Sequence, residues 1–450
     1  MSATLDLARC VVSTPADGVP KAMLHEAKRT LINVLAISLS ASPAKPARIL
    51  VDWAKAEGAN ERATVVGSGL RTSLTNAALI NGFLAHLQDY DDTHFPTVLH
   101  PSAPVWPAVL ALAESTGASG KDTLAAFVLG AEVGCRVSMS VHPWHYDAGW
   151  HITGTAGVFG SACGAAKLLE LTDAQLSDAL GAAGTQAAGV REVFGSDSKA
   201  LHAAKAASNG LQAVMLAKEG FTGPEDLIGG RRGFWGVLSA AGHDEAQLTE
   251  GFGTRWELAN NGLKPYANGV VSHPIQDAVI QLRNAHGLSA DRVTAIRARV
   301  HPLVLELMNR PEPRRGLEGK FSFQHCAAAA LVDGAGHDAQ FSDARVADPV
   351  ISVLRAKVSA TVEESVREDE VHLSIELDDG TLVETHVEHA TGTPENPMSD
   401  AVLEAKFSDL AGEVLSADQA DRLLAAVWAL DEAPDVSDIT KLMVKAQVPA

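Results

Sequence analysis

The chain has 450 residues, with 36 Lys and Arg against 55 Asp and Glu, so its formal net charge is −19. That balance argues against a nucleic-acid binder or a protein that docks on anionic membranes, because both need a basic surface to neutralise phosphates. Hydrophobic residues at 46% and charged residues at 20% are ordinary globular usage and exclude a disordered chain.

Along the chain, the first eighteen residues carry acidic side chains where a secretory leader would have a basic stretch before an apolar run. No stretch of about 18 strongly apolar residues follows without interruption by charge or clustered glycine. Cys10, Cys135, Cys163 and Cys326 are scattered, with no C-x-x-C pair, which predicts reduced thiols and neither an iron-sulfur cluster nor structural zinc. The expectation is a soluble cytoplasmic protein.

From 24 to 40, Leu31, Val34, Leu35 and Leu39 recur at three- and four-residue steps, predicting a helix. The same periodicity predicts helices over 74–87, 103–114, 121–139, 153–169, 173–188 and 199–218. Most faces of these segments are apolar, so they belong inside a bundle. Gly130 and Gly134, and Gly157, Gly160 and Gly164, recur within two of them. Interior glycine costs about 1 kcal/mol relative to alanine and is tolerated where close packing offsets the loss.

After Lys264 the pattern changes. Segments 292–300, 371–377 and 381–389 alternate apolar and polar residues, and the last two flank Asp378-Asp379-Gly380, a hairpin signal. Helical stretches at 321–332 and 349–356 complete a strand-and-helix mixture. The charged positions between 358 and 388 read as the solvated face of a sheet. Residues 391–397 have linker composition, and 400–411 and 416–430 return to helical periodicity.

The densest polar cluster runs from His86 to Pro101, with three carboxylates, two threonine hydroxyls, a tyrosine and three imidazoles. These groups cannot be buried without partners, so they are either a solvated helix end or a site. A second cluster is Gly149-Trp150-His151-Ile152-Thr153, where Thr153 is placed to cap a helix that His151 precedes. Lys199 opens a further helix, against the dipole; buried there it points to function, exposed to nothing. Lys264-Pro265-Tyr266, with His273 nine residues on, stands where the pattern changes. Lys320-Phe321-Ser322 with His325 makes weaker claims.

Taken together, these pieces resemble the MmgE/PrpD family, which includes 2-methylcitrate dehydratases, cis-aconitate decarboxylases and an iminodisuccinate epimerase. The matching residues are Asn81-Gly82, His86, Asp89-Tyr90-Asp91-Asp92-Thr93, His100-Pro101, Gly130-Ala131-Glu132, Gly149 to Thr153, Lys199, Gly220 to Pro224, Lys264 to Tyr266 with His273, and Lys320 to Ser322. They follow the family's order over nearly the whole chain. The resemblance implies a mainly α protein, with a large helical domain from both chain ends (1–265 plus 398–450) and a smaller α+β domain inserted at 266–397. It also implies a homodimer and chemistry without metal or organic cofactor.

Carried over residue by residue, the resemblance assigns catalysis to Asp89, His100, His151, Lys199 and Lys264, and binding of a small polycarboxylate to Thr93, Tyr266, His273 and His325. His325 stands where relatives often have tyrosine, and the loop between Thr93 and His100 is one residue longer than in the decarboxylase branch. The shared chemical step develops negative charge beside a carboxylate, so cations placed where that charge grows lower the barrier. One imidazole, His100 or His151, would act as base and the other as acid. A 2-methylcitrate dehydratase-like hydro-lyase is the leading expectation, with the decarboxylase and the epimerase as alternatives. Two further readings compete. Asp89-Tyr90-Asp91-Asp92 could hold magnesium as in helical diphosphate-processing enzymes, although no second acidic motif faces it before residue 260. The chain could also be a non-catalytic helical relative, since fold alone never proves function.

Overall fold

The computed structural model describes residues 2–445 and is mainly helical. Backbone contacts divide it into two compact units: Met1–Leu87, Asp91–Asn261 and Ser399–Ala450 in one, Gln88–Tyr90 and Gly262–Met398 in the other. The chain therefore leaves the helical unit for three residues at Gln88–Tyr90 and returns.

Seven predicted helices of the first unit are present: Lys21–Ala41, Leu74–Leu87, Ser102–Thr116, Gly120–Val141, Ile152–Leu168, Asp173–Gly184 and Ser198–Lys218. The helix expected over 173–188 stops at Gly184. As well as several helices of six residues or fewer, two more long ones, Ala3–Ser13 and Lys45–Glu57, went unread. Both lie at the surface with only one face buried, so they lack the all-round apolar character that marks the core helices.

Small residues set the packing of that core. A Cβ on Gly130 would come within 2.7 Å of the Gly160 carbonyl, and one on Gly160 would meet the Gly130 carbonyl at the same distance. The helices Gly120–Val141 and Ile152–Leu168 thus touch backbone to backbone, which offsets the helical cost of glycine. Trp106 and Phe127 stack with ring centroids 4.1 Å apart.

Gly120–Val141 is, contrary to the sequence expectation, long and apolar enough by length and composition to cross a membrane. Its most apolar window is 94% buried in the protein. It also carries a wholly buried ion pair one turn apart, Arg136 Nε to Glu132 Oε1 at 2.5 Å, and Glu132 Oε2 accepts from the Glu257 N–H at 2.7 Å.

Asp400–Gly412 packs along Lys21–Ala41. Arg29 pairs with Asp400, and Lys406 Nζ donates to Asn33 Oδ1 at 2.7 Å. These two contacts tie the helices together, while Asn33 Nδ2 is buried with no hydrogen-bond partner among the described residues.

In the second unit, a four-stranded sheet has the spatial order Val358–Val362, Val293–Val300, Val371–Leu377, Leu382–Val387. The last pair is the predicted hairpin, with Val371 opposite Val387 and Gly380 in the turn at φ 82°. The first pair is parallel. The helix His273–His286 covers the hairpin strands and also packs on Phe323–Asp333.

Candidate active site

Three histidines come together inside the helical unit. His86 ends the helix Leu74–Leu87, His100 precedes Ser102–Thr116, and His151 occupies the N-cap position of Ile152–Leu168. The ring centroids of His86 and His100 are 4.8 Å apart, those of His86 and His151 5.7 Å, and those of His100 and His151 6.3 Å. All three residues are buried.

Each imidazole is held from behind. His86 Nδ1 donates to Asp91 Oδ2 at 2.7 Å, and both side chains are fully buried. His100 Nδ1 donates to the Asp92 carbonyl at 2.6 Å, with Asp91 Oδ1 3.6 Å away and Thr93 Oγ1 at 3.4 Å. Carbonyl and carboxylate oxygens only accept, so these bonds set Nδ1–H tautomers and leave the lone pair on Nε2. His151 Nδ1 lies 2.9 Å from His202 Nδ1, an arrangement that needs a single proton between two nitrogens.

The backbone around His100 is tightly turned. His94 N–H donates to the Leu99 carbonyl and Val98 N–H to the His94 carbonyl, which forces Val98 to φ 56°. A β-branched residue in the left-handed region stores about 1–3 kcal/mol of strain. Asp92 anchors the same segment: its carboxylate accepts from Ser102 Oγ at 2.5 Å, from the Ser102 N–H at 3.2 Å and from Asn261 Nδ2 at 2.8 Å. Burial, with Asp91 alongside, pushes its carboxyl up to about 6.

Thr153 is not the helix cap that its position suggested. The helix begins at Ile152 and has no side-chain cap; Thr153 Oγ1 instead accepts the His100 N–H at 3.2 Å. Lys199 lies in the first turn of Ser198–Lys218 and is only 7% exposed. Its Nζ stands 5.3 Å from the centroid of Phe194, and His151 meets the same ring edge-on at 5.0 Å. Burial, then the positive potential of His86, Lys199 and His202, holds the His151 imidazole well below its usual range. His202 is lowered to about 4, again first by burial.

The remaining predicted residues belong to the second unit. Asp89, at φ 53°, receives Lys264 Nζ on Oδ1 at 2.7 Å and on its carbonyl at 3.2 Å; both side chains are buried. Tyr266 donates its hydroxyl to Asp277 Oδ1 at 2.5 Å, and Asp277 Oδ2 accepts the Thr391 N–H. The Tyr266 hydroxyl therefore ties down the segment read as a linker. His273 packs edge-on to Tyr266 at 5.3 Å. His325 is buried and donates Nε2–H to the Gln340 carbonyl at 2.9 Å. Lys320 Nζ donates to three oxygens, the Gln88 and Ala267 carbonyls and Asp338 Oδ1, and so has a structural role.

The structure thus brings Thr93, His100, His151 and Lys199 together in one unit, and Asp89 with Lys264 in the other. Sequence reasoning quoted His86 and Asp91 in a motif without giving them roles, and it missed His202. A signal for His202 was available, because it follows Lys199 by three residues and so shares its helix face. The metal set that the sequence offered was the aspartates of Asp89-Tyr90-Asp91-Asp92, yet one ring nitrogen each from His86, His100 and His151 lies within 4.8 Å of the other two.

Buried imidazoles backed by carboxylates, beside a buried lysine in a glycine-packed helical unit, form a cluster of groups able to exchange protons. The chain matches the MmgE/PrpD N-terminal domain over residues 5–247 and the MmgE/PrpD C-terminal domain over residues 266–432. It belongs to the MmgE/PrpD family. Similar proteins include the cis-aconitate decarboxylase of Homo sapiens, 28% identical over 94% of this chain and 90% of that protein. The Mus musculus enzyme of the same name is 26% identical over 94% and 89%, and the Aspergillus terreus one 26% over 98% and 95%.

Proposed function

We propose that this protein is a cofactor-independent decarboxylase of a small unsaturated tricarboxylate of the cis-aconitate class. The observation that carries the reading is the gathering of His86, His100 and His151 beside Lys199 in a buried setting. The names of its relatives favour decarboxylation over the dehydratase chemistry that the sequence resemblance placed first.

In the proposed reaction the bond from carbon to one carboxylate breaks heterolytically. Carbon dioxide leaves, and the electron pair remains on carbon, conjugated with a neighbouring carboxylate. An imidazole then delivers a proton to carbon, so a trianion and one proton become a dianion and carbon dioxide. Charge builds next to groups that are already anionic, and a fixed cation in a dry site stabilises it by several kcal/mol. Lys199 supplies that cation. His100 and His151 divide the roles of base and acid, His86 and Asp91 hold the local geometry, and Thr93 orients His100. The homodimer that the family resemblance implies remains part of the reading.

The test is carbon dioxide release from cis-aconitate by enzyme stripped of metal. Release that falls at least 100-fold in both His151→Gln and Lys199→Ala supports the reading. A wild-type enzyme that instead dehydrates a 2-methylcitrate-like hydroxy acid, or only exchanges deuterium without net conversion, sinks it.

A further inference from the structure

The three imidazoles of the helical unit have a second property that proton transfer does not require. Their Nδ1 atoms all face inward partners, Asp91 Oδ2, the Asp92 carbonyl and His202 Nδ1, while one ring nitrogen of each lies within 4.8 Å of the others. His86 Nε2 and His151 Nε2 are buried and have no hydrogen-bond partner among the described residues. A buried acceptor without a partner is destabilising, and clustered lone pairs add mutual repulsion. A Lewis acid removes both costs at once.

We propose that His86, His100 and His151 form a binding site for a zinc-class divalent cation, coordinated through Nε2 of each ring. Zinc accepts three imidazoles at about 2.0–2.1 Å in tetrahedral geometry with an open fourth position, which places ring centroids roughly 5 Å apart. The observed separations of 4.8, 5.7 and 6.3 Å need only small side-chain rotations to close. Metal-bound histidines characteristically donate their other N–H to a carboxylate or carbonyl, which fixes the tautomer and raises ligand basicity; His86 and His100 already do so, and metal binding would settle the shared proton of the third pair on His151 Nδ1. Lys199 opposes a cation near His151, and the carboxylate of Asp91 behind two of the rings offsets it.

Nitrogens bound to metal cannot carry protons, so the cation inhibits the acid-base chemistry. That consequence rests on the proposed function; the binding itself does not. A second His and carboxylate group lies on the hairpin of the other unit, where Glu370 Oε1 is 2.8 Å from His386 Nε2 and 3.7 Å from His372 Nε2. It is partly exposed and serves as the control.

The experiment titrates zinc chloride calorimetrically, and cobalt chloride by visible absorption, into metal-free full-length protein without substrate. One equivalent should bind with intense tetrahedral cobalt bands. Affinity should fall at least 100-fold in His86→Ala and in His151→Gln, with circular dichroism confirming that each variant is folded, and should persist in the His372→Ala, His386→Ala double variant. Should a variant not fold, the zinc-dependent rise in Tm of wild type, and its persistence in the double variant, decide the question. Absence of binding, or binding lost only in the double variant, overturns the proposal. Decarboxylation measured with chelator present tests the functional reading separately, so the two can fail independently.

Discussion

His151 and His202 bring their Nδ1 atoms to 2.9 Å of each other, and His202 is the more exposed of the two. The buried imidazole therefore has a route by which its protonation state can be adjusted from a partner nearer to solvent.

If His151 is the base, activity requires it neutral, and rate is lost as pH falls through its depressed pKa. The positive potential of His202 is one cause of that depression, after burial itself. His202→Ala should therefore move the acid limb of the kcat/KM profile to higher pH, toward the usual histidine value of about 6.5, and lower the plateau about 10-fold. A pH–rate profile checks this; an unmoved limb would remove His202 from the mechanism.

Lys199→Met keeps the apolar stem and deletes the charge. If the ammonium faces developing carbanion charge, kcat should fall by two to three orders of magnitude with KM changed far less. A loss confined to KM would reassign Lys199 to ground-state binding.

Glu132→Gln tests stability apart from chemistry. Removing one charge of the buried Glu132 and Arg136 pair leaves the guanidinium uncompensated, at a cost of about 3–5 kcal/mol. Arg136 also donates to the carbonyls of Glu250 and Arg255, so the lower end is expected. Chemical denaturation should show the loss, while kcat per folded molecule stays within about 2-fold.

Acidification should destabilise the fold between pH 6.5 and 4. His145, His202 and His325 are each lowered to about 4, first by burial. Within that window the unfolded chain binds protons that the folded chain does not, so stability falls as pH drops. His94, His142 and His151, also lowered first by burial, add to this, whereas Asp92, raised to about 6, and Glu132, Asp277 and Glu368, raised first by burial, work in the opposite direction. Tm measured in steps from pH 7 to 4 should decline; a constant Tm would contradict these shifts.

The Gln88–Tyr90 segment shows where legibility in the sequence ended. Asp89 was named from a motif, but nothing in the spacing of Asp89, Asp91 and Asp92 separates their partners: Lys264, then His86 and His100, then Ser102 and Asn261. The resemblance makes Tyr266 and His325 substrate ligands, and only the tertiary structure shows a hydroxyl bound to Asp277 and an Nε2–H donated to Gln340.

The amino-acid sequence by itself determined the helices, the hairpin and the residue types of the site, because periodicity and turn chemistry are local and act within a few residues. Which polar groups face one another was decided by tertiary structure. His86, His100, His151 and His202 come from four separate helices or their flanks, and their hydrogen bonds exist only after glycine-mediated packing has brought those backbones together. A buried imidazole takes its tautomer and its pKa from neighbours that are distant along the chain, and no local pattern encodes them.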